Sequence, residues 1–224
     1  MDMGAASRII DLRKLLAERF PEEQLPPGDR LVTGLGIFDQ QLDGGLTKGA
    51  ITEVNSAPPH AGSASMIAAL LHRASHDRFF LALIDGRDSF DPSSIGASPL
   101  RHLLWVRCRT ALEAVQAADL LLRDGNFPLV ILDLVLNPVR ELQKIPASHW
   151  YRLQRLVEPV PTAFLIFTPR SMISSAQWKL SLENRWRLPQ LDWPGADLQA
   201  AWKVRLQRAQ PNKWRSERKL ATAG

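Results

Sequence analysis

Apolar residues recur along this chain in two rhythms. In "SRIIDLRKLLAERF", near the start, Ile9, Ile10, Leu12, Leu15 and Leu16 fall at spacings of three and four, which predicts an amphipathic helix. "PEEQLPPG" ends it, because proline removes backbone donors and disfavours helical geometry in the residue before it. Four short, nearly continuous apolar runs follow, "AITEV" (50–54), "FFLALID" (79–85), "PLVILDL" (128–134) and "AFLIF" (163–167), each bounded by turn formers. Helical patterns, "GSASMIAALLHRAS", "ALEAVQAADLLLRD" and "ASHWYRLQRLVE", lie between them. Strands that are apolar on both faces and alternate with helices predict an α/β fold with a central, mostly parallel sheet covered by helices. Two later segments, 178–188 and 198–209, alternate in polarity and straddle the turn-rich "PQLDWPGAD". They read as an antiparallel strand pair at one edge of the sheet, the second also being open to a helical reading.

Length and charge refine this picture. A chain of 224 residues suits one α/β domain with extensions: an arm and Pro-rich linker over 1–30, a core over 31–209 and a basic tail over 210–224. The formal net charge is +5, yet from Trp202 onward seven Lys/Arg face one acid, Glu217, which leaves 21 basic and 22 acidic residues elsewhere. Attraction to DNA or an acidic partner is therefore expected of the C-terminus, where Trp202, Lys203, Arg205, Arg208, Lys213, Trp214, Arg215, Arg218 and Lys219 are the contact candidates. A solvated, frayed terminus is the plain alternative. No membrane span or secretory signal is read from the pattern, and a single cysteine, Cys108, suits a reducing, cytoplasmic setting. No His/Cys/acid spacing suggests a metal site.

The strand, turn and helix around "GAITEVNSAPPHAGSASMIAALL" have the order of a phosphate-binding loop, in which backbone N–H groups and a helix N-terminus surround the anion, a lysine reaches the phosphates and a hydroxyl holds the metal. In the fitting register Gly62 is kept, but Ala57 replaces the first glycine, Ser63 the lysine and Ala64 the metal-ligand residue. Losing charge-assisted bonds worth roughly 1.5–3 kcal/mol each predicts that ATP and magnesium do not bind tightly, and no cofactor is expected. Asp133, ending the run "LVILD", sits where nucleotide hydrolases place a magnesium-binding acid, although apolar strands often end in a turn-capping Asp.

With "LIDGRDSFDP" (83–92) the chain resembles the RecA family of recombinases, over roughly 33–209. "TGLGIFDQQLDGGLTKGAITEV" resembles the lead into that family's core, "LIDGRDSFDP" its second-strand motif, "LVILDL" its magnesium strand and "FLIFTPR" its phosphate-sensing strand; Asp85, Asp91, Pro92 and Asp133 match the motifs. The resemblance implies that Arg87 stands where the water-activating acid belongs and Arg170 at or near the sensing glutamine, so the fold is expected without the hydrolytic reaction. The loops 136–149 and 170–177, which bind DNA in such recombinases, are short here, with Arg140, Lys144 and Arg170 as their cations.

"GLTKGAITEV", "LLWVRCR" and "ADLLLRDGNFPLVILDL" are similar to stretches of the ImuA-type members of this family, which are related to SulA-type cell-division inhibitors. That similarity implies a non-catalytic adaptor of SOS-type translesion mutagenesis. Its implied partners are an inactive polymerase homologue of the ImuB type and an error-prone polymerase, with RecA and DNA as further contacts. Two other readings stand beside it: a SulA-like inhibitor binding FtsZ, and a weak DNA-dependent ATPase taking its lysine from elsewhere, such as Lys48.

Overall fold

The structure, a computed structural model, describes residues 30–56, 62–186, 193 and 195–209. In chain order its elements are β1 (Arg30–Leu31), α1 (Gly36–Gln41), β2 (Leu46–Thr47), β3 (Ala50–Ser56), α2 (Ser63–His76), β4 (Leu81–Asp85), α3 (Ala97–Leu100), β5 (Leu103–Arg107), α4 (Ala111–Asp124), β6 (Leu129–Asp133), α5 (Val139–Leu142), α6 (Ala147–Val157), β7 (Ala163–Thr168), β8 (Trp178–Leu182), α7 (Gly195–Ala200) and β9 (Val204–Ala209). Seven strands form one sheet in the order β5-β4-β6-β7-β3-β8-β9. Every neighbouring pair in it is parallel except β8 and β9.

The continuous apolar runs are explained by two cores, one on each face of the sheet. Leu81 and Leu83 of β4, Leu129 and Ile131 of β6, and Leu165 and Phe167 of β7 join the core that holds Met66, Leu70 and Leu71 of α2. Their sequence neighbours Ala82 and Ile84, Val130 and Leu132, and Phe164 and Ile166 feed the opposite core with Ala114, Ala118 and Leu122 of α4 and Trp150 and Leu153 of α6. Side chains alternate across a strand, so a strand covered on both sides is apolar along most of its length.

Local signals set the helix ends. Thr110 caps α4 by accepting a hydrogen bond from the Glu113 amide at 3.2 Å, while the Glu113 carboxylate accepts from the Arg109 amide at 2.9 Å. Gly125 closes the helix in the left-handed conformation, φ 68°. Replacing Thr110 by Ala is expected to cost about 1 kcal/mol in denaturant unfolding, the usual worth of an N-cap side chain.

The C-terminal segments are both shorter and more mixed than the polarity pattern predicts. Only Trp178–Leu182 and Val204–Ala209 pair as antiparallel strands, and Gly195–Ala200 between them is helical. The segment 198–209 thus begins in a helix and ends as a strand. At the amino ends of the parallel strands, the Trp178 indole donates to Thr47 Oγ1 at 3.0 Å and the Arg30 guanidinium lies 5.3 Å from the Trp178 ring centroid. Arg30 also donates to the carbonyl oxygens of Leu42 and Gly45 and to Thr47 Oγ1, which fastens the start of the described chain to this end of the sheet. The arm before residue 30 and the tail 210–224 lie outside the described residues.

Candidate functional site

The carboxyl ends of β3, β4, β6 and β7 point the same way, to the side on which ligand crevices open in doubly wound sheets. α2 starts at this end. Gly62 precedes it in the left-handed region, φ 107°, and no side chain caps the helix. Ser63 is buried at 6% exposure and Ala64 is exposed, so neither presents a cation or a metal-ligand hydroxyl at the Ala64 position. Ala57 lies outside the described residues. Among the described residues, the groups nearest the position a Gly62 Cβ would take are Asn184 Nδ2 at 3.5 Å, Trp186 Nε1 at 3.5 Å and Trp202 Nε1 at 3.7 Å. All three are uncharged N–H donors brought there from beyond β8.

The expectation that Trp202 is a partner contact is overturned. It is 3% exposed and belongs to the α2-side core together with Trp178. The segment that reads as a charged edge buries its large ring because β9 packs against α1 and the turn between α7 and β9 carries the Trp202 ring to Gly62. Lys203 and Arg205 are exposed on the same stretch, with Arg205 ion-paired to Glu183 at 2.7 Å and the Lys203 amide donating to Asn184 Oδ1 at 2.6 Å. Arg208 lies on β9. Lys213, Trp214, Arg215, Arg218 and Lys219 lie outside the described residues.

Asp85 and Asp133 are register partners at the carboxyl ends of β4 and β6. Asp85 is buried and its carboxylate accepts from the amides of Arg87, Ser89 and Phe90 at 3.2, 2.8 and 2.7 Å, so it organises the turn that follows β4. Asp133 accepts from the Val135 amide at 3.0 Å. Burial pushes its carboxyl up to about 6, the Val135 amide opposing the rise and the Asp85 charge adding to it. Arg87 is exposed and donates to the Arg109 carbonyl at 3.2 Å, turned toward the α4 end of the crevice rather than held as a base. Asp91 is exposed; its bonds to the Ser93 hydroxyl and amide hold its carboxyl below the usual range, and it caps the short turn at Pro92–Ser94. Trp105 is half-buried, edge-on to Phe90 with centroids 5.3 Å apart, and Arg107 lies over it at 5.0 Å while pairing with Asp88 at 2.5 Å. Burial pushes the Cys108 thiol up, away from the thiolate a nucleophile needs.

Glu53 is the residue the pattern reading passed over. It is fully buried in β3, paired with Lys179 at 2.9 Å, and accepts from Thr168 Oγ1 at 3.1 Å and from the amides of Met172 and Ile173 at 2.7 and 3.1 Å. It pins the loop after β7, so Arg170 is displayed, exposed, from a fixed turn. An acid inside an otherwise apolar strand run was the available signal, because buried carboxylates require partners. Arg140 and Lys144, in the loop after β6, are exposed. Lys48 lies far from the start of α2. It bridges to Ala163 before β3 begins, and the seven residues of β3 put roughly 20 Å between it and the start of α2. Among the described residues no group of three or more His, Cys, Asp or Glu side chains is placed to hold a metal ion, and no helix is long and apolar enough to cross a membrane.

Sheet order, the strand–loop–helix unit and two acids at adjacent strand ends define a doubly wound α/β protein built around a phosphate-loop position. Within that class the similarity is to RecA. The chain is 30% identical to Protein RecA of Leifsonia xyli subsp. xyli over 122 residues, 53% of this chain and 32% of that protein. It is 28% identical to Protein RecA of Frankia alni over 120 residues, 52% and 34% of the two chains, and 30% identical to Protein RecA of Methylococcus capsulatus over 136 residues, 58% and 39%. The chain thus spans about a third of the length of these curated relatives. No protein-family model matches it.

Proposed function

We propose that this chain is a non-catalytic, RecA-like adaptor of SOS-type DNA repair that assembles a lesion-bypass polymerase complex. The observation that carries the reading is the replacement chemistry at the start of α2. Ser63 and Ala64 stand where a lysine and a metal-ligand hydroxyl belong, and among the described residues the side-chain groups nearest Gly62 are uncharged N–H donors. Arg87 at the end of β4 removes the general base, so charge neutralisation, metal placement and water activation are lost together. A RecA-like fold stripped of these groups retains surfaces, and surfaces serve binding.

The partners proposed are an ImuB-type inactive polymerase homologue and an error-prone polymerase, with RecA and DNA as further contacts through the basic C-terminus. Full-length protein used as bait in DNA-damaged cells is expected to recover a polymerase component. Recovery of none would count against the adaptor role. In a separate assay, ATP with magnesium is expected to show no turnover with or without single-stranded DNA, and measurable turnover would favour the weak-ATPase reading instead.

A further inference from the structure

Between the start of α1 and the end of α7 lies a cavity of about 330 Å³, lined by Leu35, Gly36, Ile37, Gln199, Ala200 and Trp202. Leu35 and Trp202 are buried walls, while Gly36 and Ala200 are exposed at its mouth. These lining residues carry no charge, and Gln199 supplies their one side-chain amide. A Cβ added at Gly36 would meet nothing within 4 Å, so the hollow is open where a side chain would enter. Its volume is at the low end of the roughly 300–1,000 Å³ usual for pockets, which suits inserted side chains rather than a whole element.

The chain carries such side chains within reach. Ile9, Leu12, Leu16 and Phe20 fall at spacings of three, four and four, one apolar stripe of the helix that the arm's pattern predicts. A helix of that length is marginal alone in water and is stabilised mainly by burying such a face. Leu35 follows Arg30 by five residues and so lies within about 18 Å of it, and the ten residues from Phe20 to Arg30 span at most about 36 Å. The stripe can therefore meet the cavity of its own molecule. Charge agrees: Arg8, Arg13, Lys14 and Arg19 outnumber Asp11 and Glu18 on the arm, and α7 carries exposed Asp197.

We propose that the arm folds back on its own core, with its helix over the mouth of this cavity and Leu16 and Phe20, the stripe residues nearest the linker, seated in it. The inference goes beyond the adaptor reading and stands whether or not ATP is hydrolysed. An arm so seated covers the cavity and is withheld from other partners until it is released.

Hydrogen–deuterium exchange of the full-length protein, read by mass spectrometry, tests it. Amides over 9–20 are expected to exchange more slowly than in an unstructured chain by about tenfold or more, a protection that a lone helix of this length does not sustain. Gly36→Phe puts a ring into the cavity at a position with open space around a Cβ, and is expected to return the arm to unprotected exchange while the amides of the sheet stay protected. Leu16→Asp, on the arm itself, is expected to do the same without touching the core. Sedimentation over a range of protein concentrations identifies whose arm is bound. A monomer whose arm is protected at every concentration supports the proposal, and protection that appears only with dimers assigns the arm to a second copy and overturns it. An arm that exchanges freely in the parent, or that stays protected in the Gly36→Phe variant, overturns it as well.

Discussion

Replacing Glu53 with Ala is expected to destabilise the protein by about 3–5 kcal/mol, the cost of removing one partner from a buried ion pair. The substitution strands Lys179, whose side chain is only 12% exposed, and leaves the Met172 and Ile173 amides without their acceptor. Against a total stability of about 5–15 kcal/mol this is a large fraction, and a melting temperature lower by roughly 10 °C follows for a domain of this size. Glu53→Gln keeps an oxygen for the two amides and should lie between the alanine variant and the parent. Thermal melts of the three proteins test the ranking, and an alanine variant within about 1 kcal/mol of the parent would contradict it.

The substitution Asp133→Asn is expected to stabilise the protein at pH 8 by about 2–3 kcal/mol, the free-energy equivalent of the carboxyl's raised pKa. The Asp133 carboxyl is raised from 3.8 to about 6 in the folded state, chiefly by burial. Between about pH 4 and pH 6 the folded protein therefore holds more protons than the unfolded chain, and its stability falls as pH rises through that window. Above it the whole penalty remains, at about 1.4 kcal/mol for each unit of the rise. The substituted amide keeps an oxygen for the Val135 N–H and carries no charge to desolvate. The advantage of Asp133→Asn should shrink toward nothing below about pH 4. Denaturant unfolding at the two pH values checks the sign, and a variant less stable than the parent at pH 8 would be the contrary result.

The sheet was legible because its central strands are buried on both faces, so their apolar runs stand out against the helices. Runs at 50–54, 79–85, 128–134 and 163–167 coincide with β3, β4, β6 and β7 to within two residues at either end. The carboxylates at strand ends were also legible, since Asp85 and Asp133 close apolar runs. What escaped was everything that depends on contacts between distant parts of the chain. Trp202 sits among basic residues and reads as surface, yet the fold of α7 and β9 carries it into the core beside Gly62, 140 positions earlier. Asn184 offers no pattern of its own, and its role emerges only when Lys203 holds one side of its amide. Glu53 differs in that its sequence did carry the warning, an ionisable group where no water reaches.

The antiparallel course of β9 has a consequence for where the described chain begins and ends. Running against the other strands, it brings Ala209 back level with Trp178, and Arg30 stacks on that same tryptophan. The described chain thus begins and ends at one pole, while Gly62 and the start of α2 lie at the other. Residues 30 and 209, where the described chain starts and stops, therefore stand at the opposite end of the sheet from Asp85 and Asp133.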